Sequence, residues 1–161
     1  MAIKAGDRLP SDLKLKEMGD GGPKDVTVGD VFKGKKVVVF AVPGAFTPTC
    51  SMKHLPGFLE KASAIKAKGV DEIVCLAVND AFVMGAWGDA NNSKGKVRML
   101  ADGNGDFTKA LGLTLDAAGF GMGLRSQRYA MIVQDGVVKE LLVEPGPGLN
   151  VSSAESVLSK L

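Results

Sequence analysis

Val37-Val38-Val39-Phe40-Ala41-Val42 runs directly into Pro43-Gly44-Ala45-Phe46-Thr47-Pro48-Thr49-Cys50. The apolar, valine-rich stretch predicts a strand buried on both faces, and the Pro-Gly break after it marks the strand's end. A helix is expected to follow, with Cys50 in its first turn. There the unpaired backbone N–H groups and the positive end of the helix dipole stabilise an anion, so a reactive thiolate is the expectation. The plainer reading, a small buried core residue, fits poorly with the polar, kinked Thr-Pro-Thr string before it.

Downstream, Leu55, Phe58, Leu59, Ala62 and Ile65 follow helical spacing and end near Gly69, with Pro56 expected to kink the helix. Glu72 to Val78 reads as a second buried strand. Asn79 or Asp80 can then cap a helix over about Ala81 to Ala90. Val97 to Leu100 reads as a third strand, and Asp106 to Leu111 as a helix closed by Gly112. Tyr129 to Val133 and Val137 to Val143 should form a hairpin around Asp135-Gly136. Ser152-Ser153-Ala154-Glu155 has the spacing of a capping box for a last helix. The stretch to Pro10 and then Ser11 to Lys16 reads as an irregular lead-in with a short edge strand, and Gly19 to Pro23 as turn chemistry before Val26-Thr27-Val28. This order of elements predicts an α/β chain with a mixed central sheet flanked by helices on both faces, which fits a thioredoxin-like fold.

The chain has 161 residues, 45% of them hydrophobic, which suits one domain spanning 1–161. Lys and Arg number 20 against 18 Asp and Glu, dispersed rather than gathered in a stripe, so nucleic acid is not expected as a partner. The apolar runs are short of a membrane span, and Met1-Ala2-Ile3-Lys4-Ala5-Gly6 lacks the apolar core of a secretory signal. A cytosolic protein is the default expectation, although a processed organellar protein presents the same kind of start. The 2 cysteines, Cys50 and Cys75, are spaced neither as a CxxC pair nor as a zinc pattern.

Pro43, Thr47 and Cys50 stand in the spacing P-x-x-x-T-x-x-C, and the string PGAFTPTCS resembles the active-site signature of peroxiredoxins, in particular the type II or peroxiredoxin-5-like branch. The likeness continues through Lys53 to Phe58, Val78 to Val83, Arg125 to Met131 and Gln134-Asp135-Gly136. The resemblance implies reduction of hydrogen peroxide or alkyl hydroperoxides through a sulfenic acid at Cys50. It also implies a homodimer packed near the active site, recycling by glutaredoxin, thioredoxin or glutathione, and no metal, haem or flavin cofactor.

Such chemistry needs a thiolate, a peroxide held in line with it, and donors for the charge that moves onto the leaving oxygen. Thr47, three residues before Cys50, is placed either to face the sulfur or bound peroxide or to cap the helix. Pro43, lacking an N–H, can wall the pocket or be an ordinary loop proline. Arg128 is, by resemblance, the catalytic arginine, and its planar fork suits the task. Arg125 competes with it, because spacing does not say which of the two points inward. Cys75, in the middle of Ile-Val-Cys-Leu-Ala, reads either as an inert buried thiol or as a resolving cysteine, and the latter would require backbone movement if the two Cα atoms are more than about 7 Å apart. The chain has no cysteine after Cys75, where some members of the family carry a resolving one.

His54 is the only histidine and lies on the helical face of Cys50. A structural hydrogen bond is expected of it, with a Cys50/His54 hydrolase as the rival enzyme class and a non-catalytic thioredoxin-fold binding module as a third reading. Phe46 and Phe82 read as pocket lining, dimer contact or core.

Overall fold

The structure, a computed structural model, describes residues 2–161, so Met1 of the expected lead-in lies outside it. The chain opens on β1 (Lys14–Gly19) and β2 (Gly22–Thr27), followed by α1 (Val28–Phe32) and β3 (Lys36–Val42). A π turn at Cys50–His54 leads into α2 (Leu55–Lys66), β4 (Glu72–Ala77), α3 (Ala81–Ala90) and β5 (Arg98–Ala101). Next come α4 (Asp106–Leu111), β6 (Thr114–Asp116), a 3-10 turn at Ala118–Phe120, and β7 (Leu124–Ser126). The chain closes with β8 (Tyr129–Gln134), β9 (Val137–Val143) and α5 (Ala154–Lys160).

Seven strands form one sheet in the order β2-β1-β5-β4-β3-β8-β9. β3, β4 and β5 run parallel, while β8 and β9 on one side and β1 and β2 on the other are antiparallel, so the sheet is mixed as expected. The alternation of strand side chains divides the core into two layers. From β3, Val38, Phe40 and Val42 pack with α2, α3 and α5 on one face, while Val37, Val39 and Ala41 pack with α1 and α4 on the other. Burial of β3 on both faces explains its unbroken apolar run.

The carboxyl ends of the parallel strands all open on the same edge, the usual position for a site in such sheets. The 43–50 loop leaves β3 there, and Asn79-Asp80 leaves β4. Asp80 caps α3 by accepting from the Val83 N–H at 2.8 Å, and α4 closes on Gly112. The hairpin between β8 and β9 turns at Asp135 and Gly136, whose φ values of 47° and 78° match the positive-φ turn that an Asp-Gly pair favours.

Several expectations are corrected. The lead-in holds a full hairpin, β1–β2, turning through Asp20-Gly21. Pro23 sits in β2 at the sheet edge, where its missing N–H costs no ladder bond. Val28 belongs to α1, whose N-cap is Thr27, accepting from the Asp30 N–H. Pro56 stands at the N-terminus of α2 rather than kinking its interior. The widened turn before it, closed by Leu55 N–H to the Cys50 carbonyl, absorbs the break that a proline would impose on an α-helical ladder. The expected capping box is displaced by one residue: Ser153 caps α5 by accepting from the Ser156 N–H, and the Ser152 hydroxyl bonds to Glu144 instead. The short β6–β7 hairpin was not expected from the sequence.

Candidate active site

Cys50 follows directly on the helical start at Pro48-Thr49, and the Thr47 carbonyl accepts from the Ser51 N–H at 2.9 Å. The loop feeding this turn is held from three sides. The Ala45 N–H donates to Asn79 Oδ1 at 2.9 Å, the Pro43 carbonyl accepts from Arg125 Nη1 at 3.2 Å, and Trp87 Nε1 donates to Ser51 Oγ at 3.0 Å. Gly44 admits no side chain without displacement, because a Cβ there would stand 2.8 Å from Arg125 Nη1 and 3.1 Å from the Thr47 methyl. Phe46 takes a left-handed backbone conformation (φ 64°), a rare state for a bulky residue that a tight, over-determined loop can impose.

Arg128, one residue before β8, resolves the competition between the two arginines. Its Nη2 donates to Cys50 Sγ at 3.1 Å, and the side chain is buried, with the residue 9% exposed. Arg125 instead clamps the loop: besides Pro43, its Nε donates to the Met122 carbonyl at 3.0 Å. Among the described residues no carboxylate lies within ion-pair reach of Arg128. A buried guanidinium needs a compensating partner, and Cys50 is the group in contact with it that can carry a negative charge.

His54 is buried in an aromatic box, tilted against Phe40 and Phe58 at ring separations of 5.0 and 5.5 Å. Its Nε2 lies 2.9 Å from the Ser152 carbonyl and its Nδ1 lies 2.9 Å from Arg128 Nη1. A carbonyl only accepts, so Nε2 carries the proton and Nδ1 offers its lone pair to the arginine. Burial pushes the imidazole down to about 3, with the Arg128 charge adding to it against the opposing Ser152 bond. His54 is therefore neutral at physiological pH and both its nitrogens are engaged, which leaves no general base for a Cys50/His54 hydrolase.

The Thr47 hydroxyl donates to the Gly44 carbonyl at 2.7 Å rather than to the sulfur, and among the described residues its oxygen accepts from no helical N–H. Its proton is thereby committed and its oxygen remains an acceptor. Pro43 stands half-buried at the start of the same loop. Cys75 sits on β4 between Phe40 of β3 and Met99 of β5, fully buried, unbridged, and in the same apolar layer as Cys50. Burial pushes its thiol well above the ordinary value, the neighbouring Cys50 adds to this, and Arg128 opposes it. Phe46 and Phe82 are not core: they are 55% and 66% exposed.

Sequence reasoning missed Asn79 as a loop anchor, the Trp87–Ser51 bond and the Glu144–Ser152 contact behind His54. Only Asn79 carried a signal, as one of two adjacent residues competing for a single cap position.

Comparison with known proteins identifies the family. The redoxin family model matches residues 4–158. Peroxiredoxin-2E-2, chloroplastic, from Oryza sativa subsp. japonica is 51% identical over 99% of this chain and 72% of its own length. Peroxiredoxin-2E, chloroplastic, from Arabidopsis thaliana is 50% identical over 99% and 70%. Among solved structures, reduced Prx3 from Vibrio vulnificus in complex with hydrogen peroxide superposes with a TM-score of 0.93 at 54% identity, covering 98% of each chain. The cytosolic expectation is corrected: these relatives are chloroplastic proteins, and the way the sequence begins is no argument for the cytosol. With a matching family model, half-identical relatives and a thioredoxin-like architecture, the chain belongs to the redoxin family and, within it, to the type II peroxiredoxins, which are thiol peroxidases.

Proposed function

We propose that this peroxiredoxin reduces hydrogen peroxide and alkyl hydroperoxides at Cys50 through a sulfenic acid, and that glutaredoxin, thioredoxin or glutathione recycles it. The observation that carries this reading is the 3.1 Å bond from a buried, otherwise uncompensated Arg128 guanidinium to Cys50 Sγ. The Cys50 thiolate attacks the terminal oxygen of the hydroperoxide, an S–O bond forms, the O–O bond breaks, and the departing alkoxide or hydroxide takes a proton to leave as alcohol or water. Arg128 holds the sulfur and offers donors to the charge passing to the leaving oxygen. Because Thr47 commits its own proton to Gly44, its oxygen is free to accept the O–H of the entering peroxide and orient it. Pro43 walls the pocket without adding a donor.

Recycling consumes two external thiols. The first condenses with the sulfenic acid to give a mixed disulfide and water, and the second releases Cys50 as thiol with formation of a disulfide. An external route is supported by the burial and raised pKa of Cys75, which disfavour its thiolate. Resolution by Cys75 would call on this buried thiol, while the Trp87 and Ser152 bonds hold the Cys50–His54 turn in place. A second copy of the chain, covering exposed Phe46 and Phe82, would complete the homodimer.

The reading is tested by following peroxide consumption with a thiol donor. Cys50→Ser should abolish turnover and Arg128→Ala should slow the peroxide step about a hundredfold. Undiminished turnover in Cys50→Ser would overturn it.

A further inference from the structure

We infer that Glu144, remote from the sulfur, is a positioning residue that sets the His54 tautomer and through it the aim of Arg128. The inference rests on the reading that Arg128 serves Cys50. Glu144 follows β9 directly opposite Arg128, its N–H donating to the Arg128 carbonyl at 3.0 Å. Its side chain is buried, and Oε2 accepts three bonds: from the Asn150 N–H at 2.9 Å, the Ser152 N–H at 2.8 Å and the Ser152 hydroxyl at 2.7 Å. A buried carboxylate costs stability unless it is hydrogen-bonded; here Oε2 carries all three bonds while the buried Oε1 has no partner among the described residues, and the bonds to Oε2 draw the 150–152 strap into a fixed curve.

The curve matters because it presents the Ser152 carbonyl to His54 Nε2. That acceptor obliges the imidazole to carry its proton on Nε2 and to keep the Nδ1 lone pair for Arg128 Nη1. With the carbonyl withdrawn, the Nε2–H is left buried without an acceptor and the Arg128 donor alone holds the tautomer, so the fraction protonated at Nδ1 rises. In that fraction an N–H faces the guanidinium N–H, and Arg128 turns from the sulfur. Glu144, Ser152, His54, Arg128 and Cys50 thus form one relay with a single consistent set of donors and acceptors.

The chain's only histidine makes the relay readable. Nitrogen NMR of the full protein labelled at histidine, at neutral pH, should give the Nε2–H pattern in the wild type and an Nδ1–H contribution in Glu144→Ala. The second-order rate with hydrogen peroxide should fall about tenfold, the size of one coupled contact. Glu144→Gln, which keeps an acceptor for the strap, should restore both. In an Arg128→Ala background, Glu144→Ala should add no further loss. An unchanged tautomer with an unchanged rate in folded Glu144→Ala overturns the inference, as does an additive loss without Arg128. Should Glu144→Ala fail to fold, Ser152→Ala takes its place, expected to show the Nδ1–H signal with a smaller loss of rate; no change in either overturns the inference. If instead Arg128→Ala alone reduces peroxide at full rate, the reading of Arg128 fails while the tautomer signal still reports on Glu144.

Discussion

Arg128 Nη1 donates to His54 Nδ1 at 2.9 Å, and this bond requires an unprotonated imidazole nitrogen on the arginine side. The histidine is therefore part of the scaffold that aims the guanidinium, and its protonation is incompatible with the folded site.

The pH dependence of stability follows from that bond. The His54 pKa is held down to about 3 in the folded chain, below its ordinary 6.5, so the unfolded chain binds the extra proton between these values. The contribution is complete above about pH 6.5 and is lost as the pH falls toward 3, at no more than about 1.4 kcal/mol per pH unit. Denaturant unfolding between pH 7 and 5, above the range in which carboxylates titrate, should show stability falling as pH falls. His54→Asn should flatten that slope, and an identical slope in the variant would contradict the assignment.

Gly44→Ala should injure the site through Arg125. The new Cβ meets Arg125 Nη1 at 2.8 Å, and this flexible end can move only by giving up its bond to the Pro43 carbonyl. Loss of that hydrogen bond is worth about 1 kcal/mol of stability, and the loosened loop should slow the peroxide step about tenfold. Arg125→Ala should produce a similar loss. Because both variants release one contact, the double variant should be little worse than either, which steady-state peroxide consumption and thermal unfolding can check.

Cys75 separates packing from chemistry. Cys75→Ala removes a buried sulfur from the middle of β4 and should cost about 1–2 kcal/mol, leaving the first peroxide step within about twofold of wild type. Cys75→Ser should cost more, because a hydroxyl among Phe40, Met99 and their neighbours lacks a partner. Thermal unfolding and single-turnover kinetics distinguish the two effects, and a large loss of the peroxide step in Cys75→Ala would contradict it.

What the sequence made legible is what local physics controls. The β3 run, the Asp80-capped α3, the Gly112-closed α4 and the Asp135-Gly136 hairpin each depend on neighbours within one or two turns, so their residues announce them. The β1–β2 hairpin was obscured by Pro23 and its many lysines, which are acceptable only because β2 lies at a sheet edge that no local pattern reveals. Cys50 at the helical start just past β3 was readable from the residues around it. Its surroundings were not: resemblance alone favoured Arg128 over Arg125, spacing does not choose between them without knowing that β8 pairs with β3, and the Glu144 strap requires knowing that β9 then places position 144 beside position 128. Long-range sheet register carries that information, and spacing along the chain does not.

The most direct measurement is to treat the reduced protein with one equivalent of hydrogen peroxide in the presence of a sulfenic-acid trap and to locate the adduct by mass spectrometry. The adduct is expected on Cys50, with Cys75 unmodified, and should form about a hundredfold more slowly in Arg128→Ala. An adduct on Cys75, or one on Cys50 whose rate is indifferent to Arg128, would contradict a peroxidase built on the Arg128–Cys50 pair.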